Sequence, residues 1–133
     1  MTTPDRYNLR RFTLAQDARG TYRQAIAEVR AGKKTSHWIW FIMPRTLQRL
    51  AGVNYSPMSE YYALASRWEA RAYLKHPVLG RRLMRCVEAI LAVRHRTLLE
   101  IFGPVDALKV RECAALFASL NVDPIFITLQ SKP

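Results

Sequence analysis

The sequence predicts an all-α fold, a compact single-domain bundle of about five to seven short helices. Two observations support this prediction: helical periodicity and capping signals recur along most of the chain, and only one short segment has the β-branched composition of a strand. A length of 133 residues is typical of one domain and suffices to bury a core without disulfides or metal. We therefore expect one domain over residues 1–133.

The first predicted helices lie between residues 21 and 64. Residues 21–30 place apolar side chains at i, i+4 and i+7 on one helix face, and Gly32 is suited to end that helix. Ser56 followed by Pro57 matches an N-cap with proline at the first helical position. Between these helices, the turn residues of segment 49–57 indicate a loop inside the same domain.

Further helix starts follow in the second half of the chain. Ser66 and Glu69 have the spacing of a capping box, in which each side chain can bond the other residue's backbone N–H, and Thr97 and Glu100 repeat it. Pro77 opens a longer helix. Its apolar stripe consists of Leu79, Leu83, Val87 and Ile90 or Leu91.

The C-terminal third contains two predicted helices and one ambiguous segment. Gly103 is expected to end the helix that begins at Thr97, and Asp106 is expected to cap a last long helix. Residues 122–133 have a β-branched run that suits a strand, but a single strand would have no partner here. We expect this segment to fray or to dock irregularly.

Composition indicates an ordinary globular protein. Half of the residues are apolar and 11% are aromatic, which excludes a disordered chain. The longest apolar run, Trp38 to Met43, is far shorter than the roughly 20 residues of a spanning helix, and the N-terminus has no stretch resembling a signal peptide. Cys86 and Cys113 fall within helical apolar patterns. We therefore expect a reduced, cytoplasmic protein without a membrane partner.

Charge is the one extreme property of the sequence. Twenty-one basic and ten acidic residues give a net charge of +11. Such an excess favours anionic partners, and arginine suits phosphate by its forked geometry. The same charge also fits solvated arginine-rich helix surfaces, and both interpretations remain open.

Most chemical signatures are missing from the sequence. It contains no glycine-rich phosphate loop, no paired-cysteine metal motif and no sequence pairing of a nucleophile with a base. No metal, no cofactor and no reaction are predicted. A recognition-helix pattern or an aromatic RNA-binding motif is also missing.

The most site-like segment is KKTSHWIWFIMPR, residues 33–45. Its polar half offers Lys34 as a phosphate contact or a solvated residue at a helix end. His37, next to Ser36, is a proton carrier, a donor to an anion or a hydrogen-bonded structural group. Its apolar half contains Trp38 and Trp40, which serve the core or present an aromatic face to a ligand.

Three stretches of the chain resemble the bacterial domain-of-unknown-function family numbered 1810. They are AGKKTSHWIWFIMPR, EYYALASRWEARAYLKHPVLGRRL, and IFGPVDALKV with the ALFA that follows. The resemblance covers about residues 12–117 and implies an all-helical cytosolic protein without an established activity. The recurrent polar positions of the family are matched by Gln16, Tyr22, Lys34, Ser36, His37, Trp38, Trp40, Pro44, Tyr62, Glu69, His76, Gly80, Asp106 and Lys109.

The chain departs from this family pattern at several places, among them residues 111–118, RECAALFA, where the family pattern is rich in Ser and Thr. Met43-Pro44-Arg45 stands where the family commonly has phenylalanine, proline and glutamine. Family members generally continue beyond the position of Pro133 through another amphipathic helix, so we expect a C-terminally shortened member. Any site completed by that helix would be affected.

Two functions are predicted as alternatives. The first is a site for an anionic, nucleotide-like small molecule, with phosphate held by Lys34 and nearby arginines and a stacking face supplied by Trp38 or Tyr62. Its further candidate residues are Ser36, His37, Trp40, His76, Asp106 and Lys109; His76 alternatively defines a helix start, Asp106 a cap, and Lys109 a partner of Asp106. The second is a non-catalytic module that binds nucleic acid or an acidic protein through Arg81, Arg82, Arg85, Arg94 and Arg96.

Overall fold

Helices account for all the regular secondary structure in residues 4–133, which are the residues that the computed structural model describes. The all-α prediction is confirmed. A short 3₁₀ turn at residues 18–20 joins the first helix to the second. The helices are α1 (Arg10–Asp17), α2 (Thr21–Arg30), α3 (Ile39–Ile42), α4 (Pro57–Tyr61), α5 (Arg67–Lys75), α6 (Leu79–Ala92), α7 (Leu98–Ser119) and α8 (Ile125–Ser131).

Side-chain caps begin three of these helices, as the sequence predicts. The hydroxyls of Ser56 and Ser66 each accept a backbone N–H of the first helical turn, at the starts of α4 and α5. At the start of α7, Thr97 accepts the Glu100 N–H at 3.1 Å and the Glu100 carboxylate accepts the Thr97 N–H at 2.9 Å. This reciprocal pair is a complete capping box.

The capping box predicted at Ser66 and Glu69 is only half formed, because Glu69 has a different role. Its carboxylate accepts the Ala65 N–H at 2.8 Å and the Arg11 guanidinium at 2.9 Å. Both side chains of this ion pair are buried, so each must be fully hydrogen-bonded. Arg11 meets that need by donating also to the backbone carbonyls of Tyr7, Asn8, Tyr61 and Ala63, which fastens α1 to α4 and α5.

A break at Gly103 divides α7 into two helical parts, as predicted. Gly103 has φ 79° and ψ 168°, a conformation that favours glycine, and Pro104 begins the second part. The predicted cap is not made: Asp106 lies within the first turn of the second part, and its carboxylate pairs with lysine side chains instead.

The C-terminal segment corrects a second expectation, because residues 125–131 form the helix α8. Asp123 accepts the Ile125 N–H at 2.9 Å at its start. Phe126 is fully buried and stacks on Phe117 of α7, with ring centroids 5.4 Å apart. This packing against α7 outweighs the strand preference of the β-branched residues, because propensity is a weak term beside burial.

The core is rich in aromatic side chains. The Phe12 ring meets the Tyr73 ring edge to face at 5.0 Å, and the Trp38 ring meets the Phe102 ring in the same way at 6.2 Å.

Cys86 and Cys113 are free and buried, as predicted, and burial raises the pKa of the Cys86 thiol to about 12. Within residues 4–133, no helix has the length and apolarity needed to cross a membrane.

Gly80 allows α6 to start directly against the end of α5. A Cβ atom at position 80 would lie 2.0 Å from the Leu74 carbonyl oxygen and 2.9 Å from its carbonyl carbon. Both are backbone atoms, so side-chain rotation cannot relieve the contact. The position requires glycine because of this close approach.

We expect Gly80→Ala to lower the free energy of unfolding by about 1–3 kcal/mol, the usual cost of inserting a methyl group into a packed site. Urea denaturation measures this change. Arg81→Ala, at an exposed neighbouring position of α6, is the control and should stay within about 0.5 kcal/mol of the parent. Equal stability of the two variants would contradict the predicted backbone clash.

Candidate functional site

A buried carboxylate on α2 organises the segment that the sequence marks as site-like. Glu28 Oε1 accepts the backbone N–H groups of Thr35 and Ser36 at 2.7 and 3.0 Å and the Trp38 indole N–H at 2.9 Å. Its Oε2 accepts the Ser36 hydroxyl at 2.5 Å and the Gln24 amide at 3.1 Å. Burial raises the pKa of Glu28, but these hydrogen bonds outweigh burial and lower it to about 2. Glu28 therefore stays charged near neutral pH.

These hydrogen bonds assign Ser36 and Trp38 to the framework of the protein. Trp38 is fully buried, so it presents no face on which a ligand could stack. The Ser36 hydroxyl donates to Glu28, while its carbonyl accepts the Lys34 ammonium at 2.6 Å. Of the residues that the sequence singles out here, only His37 is exposed.

Lys34 joins this segment to α7. Its ammonium lies 2.7 Å from the Asp106 carboxylate and 5.0 Å from the centre of the Trp38 ring, and its backbone N–H donates to the Ile101 carbonyl at 2.7 Å. The side chain is only 8% exposed. Because its charge is paired inside the protein, Lys34 has a structural role and its charge is not free for a ligand.

Lys109 and Trp40 lie beside this pair. The Lys109 ammonium is 3.8 Å from Asp106, one turn earlier on α7, and 5.3 Å from the centre of the Trp40 ring. Burial lowers the pKa of Lys109, opposed by Asp106 and assisted by the charges of Arg45 and Lys34. Lys109 therefore lies beside the Trp40 ring, with Asp106, Lys34 and Arg45 as charged neighbours.

A small cavity of about 10 Å³ lies beside Trp40 and Lys109. Such a volume holds about one water molecule or one ligand oxygen. The indole nitrogen of Trp40 is buried and has no hydrogen-bond acceptor among the described residues. The cavity is lined by Ile39, Trp40, Met43, Arg45, Ser59, Tyr62, Ala63 and Lys109.

Arg45 lines this cavity, and its ion-pair partner Glu112 lines a larger open cleft. Arg45 donates to Glu112 at 2.8 Å, and its backbone carbonyl accepts the Leu64 N–H at 3.0 Å, which fixes the segment after α3. The cleft, about 510 Å³ in volume, is lined by Thr46, Gln48, Ser66, Arg67, Glu112, Ala115 and Leu116. The sequence gives no local signal for this ion pair, because its partners are 67 residues apart.

The structure therefore brings together only part of the predicted set. Trp40, Tyr62 and Lys109 line one cavity, with Asp106 and Lys34 next to Lys109. Ser36, His37 and Trp38 lie outside that lining. His76 lies directly after the C-terminal end of α5. Its Nδ1 accepts the Val78 and Leu79 N–H groups at 3.1 and 3.2 Å and so defines the start of α6.

The predicted basic surface is also divided. Arg82 already has partners within the protein, because it pairs with Asp17 at 2.8 Å and donates to Gln16 at 3.2 Å. Arg81 and Arg85 are exposed on α6, and Arg94 and Arg96 are exposed in the turn that follows it. The Arg96 side chain lies over Gly32 at the end of α2.

Two comparisons with known proteins place the chain in a family. The model of a family described as "Protein of unknown function (DUF1810)" matches residues 6–131. The chain belongs to this family. It is also similar to the crystal structure of the conserved hypothetical protein Rv1873 from Mycobacterium tuberculosis, at 39% identity over 94% of this chain and 86% of that chain, with a TM-score of 0.85. No curated protein matches the chain.

The resemblance predicted from sequence is thus confirmed, and neither description names a reaction or a ligand. For this DUF1810 member, three residues of the region are absent from the candidates chosen by sequence: Glu28, Arg45 and Glu112. One sequence signal could have indicated Glu28, namely a carboxylate on a helix just before a turn rich in hydrogen-bond donors.

The paired state of Lys34 makes a prediction about stability. We expect Lys34→Met, which keeps the apolar stem, to cost about 3 kcal/mol because it leaves the Asp106 carboxylate without its close partner. Lys33→Met, at the exposed neighbouring position, should change stability by less than about 0.5 kcal/mol.

Chemical denaturation of both variants measures the difference. Adding Asp106→Asn to Lys34→Met should recover part of the loss, since the uncompensated charge is removed. If Lys34→Met were as stable as Lys33→Met, the ion pair with Asp106 would contribute nothing.

Proposed function

We propose that this protein binds an anionic, nucleotide-like small molecule at the cavity beside Trp40. The observation that carries the proposal is the buried indole N–H of Trp40, which has no acceptor among residues 4–133 and lies in a region that also holds Lys109 and Arg45. A buried donor without an acceptor is costly, and an anionic oxygen in the cavity would give it a partner.

The charges around the cavity support an anion rather than a neutral ligand. The charge of Lys34 is compensated by Asp106, and that of Arg45 by Glu112. The Lys109 ammonium is paired more weakly, because it lies 3.8 Å from Asp106, whose carboxylate already pairs with Lys34 at 2.7 Å. Burial lowers the pKa of Lys109. Asp106 opposes this change, and repulsion from Arg45 and Lys34 adds to it. An added negative charge would stabilise the Lys109 ammonium.

The size of the two spaces determines how the ligand would lie. The cavity accepts one oxygen of an acidic group, while the open cleft lined by Glu112 has room for a larger body. Because Glu112 is an anion that already occupies Arg45, it competes with the ligand for the same guanidinium. Tyr62, which lines the cavity and is half-buried, supplies aromatic surface close to the acidic group.

This proposal predicts a thermal shift with AMP or ADP and none with adenosine, since the acidic group drives binding. A ligand at about 100 times its Kd stabilises the folded state by about 2.7 kcal/mol. Lys109→Met should abolish the shift. Glu112→Gln should increase it, because a competing carboxylate is removed from Arg45.

Trp40→Phe provides the sharpest comparison. It removes the unpaired N–H while keeping most of the ring, so the free protein should lose little stability, but the shift with AMP should fall. An equal shift for adenosine and AMP, or an undiminished shift in Lys109→Met, would overturn the proposal.

A further inference from the structure

A second basic site, which shares no lining residue with the cavity beside Trp40, lies in the groove between α2 and α6. This groove has a volume of about 300 Å³. Its lining consists of Tyr22, Arg23, Ile26, Ala27, Arg30 and Arg85. Half of these residues are arginines and none is acidic.

The three arginines of the groove are free to meet an external anion. All three are exposed, and none forms an ion pair with any residue in the range 4–133. The carboxylates of the two helices do not neutralise them: Glu28 of α2 is buried against the turn at residues 35–38, and Glu88 is exposed on α6 outside the groove lining.

The arrangement of these charges is extended. Arg23 and Arg30 are seven residues apart on α2, two helical turns, so their Cα atoms lie about 10 Å apart along the axis. Arg85 projects from α6 on the other side of the groove. A single phosphate group could contact one end of this row, whereas successive phosphates of a strand could follow its whole length.

The groove also contains an aromatic ring. Tyr22 is half-buried and is packed against the guanidinium of Arg82, whose central carbon lies 4.9 Å from the ring centre. Arg82 is itself held by Asp17, so this stack is fixed before any ligand arrives. An arginine row beside a fixed aromatic ring is the combination that binds single-stranded nucleic acid without sequence preference, through phosphate contacts and base stacking.

We propose that the α2–α6 groove binds the phosphodiester backbone of single-stranded nucleic acid, with Arg23, Arg30 and Arg85 on phosphates and Tyr22 beside a base. The site goes beyond the small-molecule proposal. It also differs from the surface predicted by sequence, since it gains Arg23 and Arg30 of α2 and keeps only Arg85 of the five predicted arginines.

The test is fluorescence anisotropy with a labelled oligothymidylate at about 50 and about 200 mM salt. The groove variant Arg23→Ala/Arg30→Ala/Arg85→Ala should bind at least about 10-fold more weakly at low salt. Its log–log salt slope should be smaller by about 2, since each phosphate contact to a single strand contributes roughly 0.7. All three positions are exposed, so the melting temperature should match that of the parent.

The matched control is Arg6→Ala/Arg10→Ala/Arg111→Ala, which removes the same charge from exposed positions outside the groove and should bind like the parent. Equal losses in both variants would show that net charge alone drives binding, and would overturn the assignment. Absence of binding by the parent at low salt would overturn it as well. Equal competition by polyglutamate of matched charge would assign the groove to acidic polypeptides instead.

Discussion

The arrangement of the site depends on the hydrogen bonds that the Glu28 carboxylate accepts. A buried charge is tolerated only when its hydrogen-bonding capacity is filled, and Glu28 fills it with five donors, four of them from residues 35, 36 and 38. The turn after α2 must therefore fold back onto that helix. This turn places Trp38 in the core, directs Lys34 to α7 and sets the start of α3 at Ile39.

For function, the polar residues fall into two kinds, which the sequence alone does not distinguish. Groups that Glu28 and Asp106 already bind, such as Ser36 and Lys34, have their hydrogen bonds and charges satisfied within the fold. Groups left incompletely satisfied are the Trp40 indole N–H and the weakly paired Lys109 at one place, and the exposed groove arginines at another. Binding is proposed at the second kind of group, because only these gain from a ligand.

Local signals in the sequence account for most of the fold. Caps at Ser56, Ser66 and Thr97 and the break at Gly103 act within a few residues, so they are readable without tertiary structure. Contacts between distant segments are not: Arg45 meets Glu112 and Arg11 meets Glu69 across 67 and 58 residues. The sequence does not predict α8 for the same reason, since the packing of this helix on Phe117 outweighs local β propensity. Within the site, the sequence predicts Trp40, Tyr62 and Lys109 as candidates, but their common cavity depends on such distant contacts.

The most direct test of the role of Glu28 is an NMR titration of its side-chain carboxyl carbon. Burial raises the pKa and the hydrogen bonds from Ser36, Thr35 and Trp38 lower it, so the account predicts a midpoint of about 2, against an ordinary value of 4.5. Because the folded-state pKa is the lower one, the stabilisation from Glu28 should be complete above about pH 4.5 and should disappear as the pH falls through about 2. A midpoint near 4.5 in the folded protein would show that the carboxylate does not hold the turn, and would contradict the account.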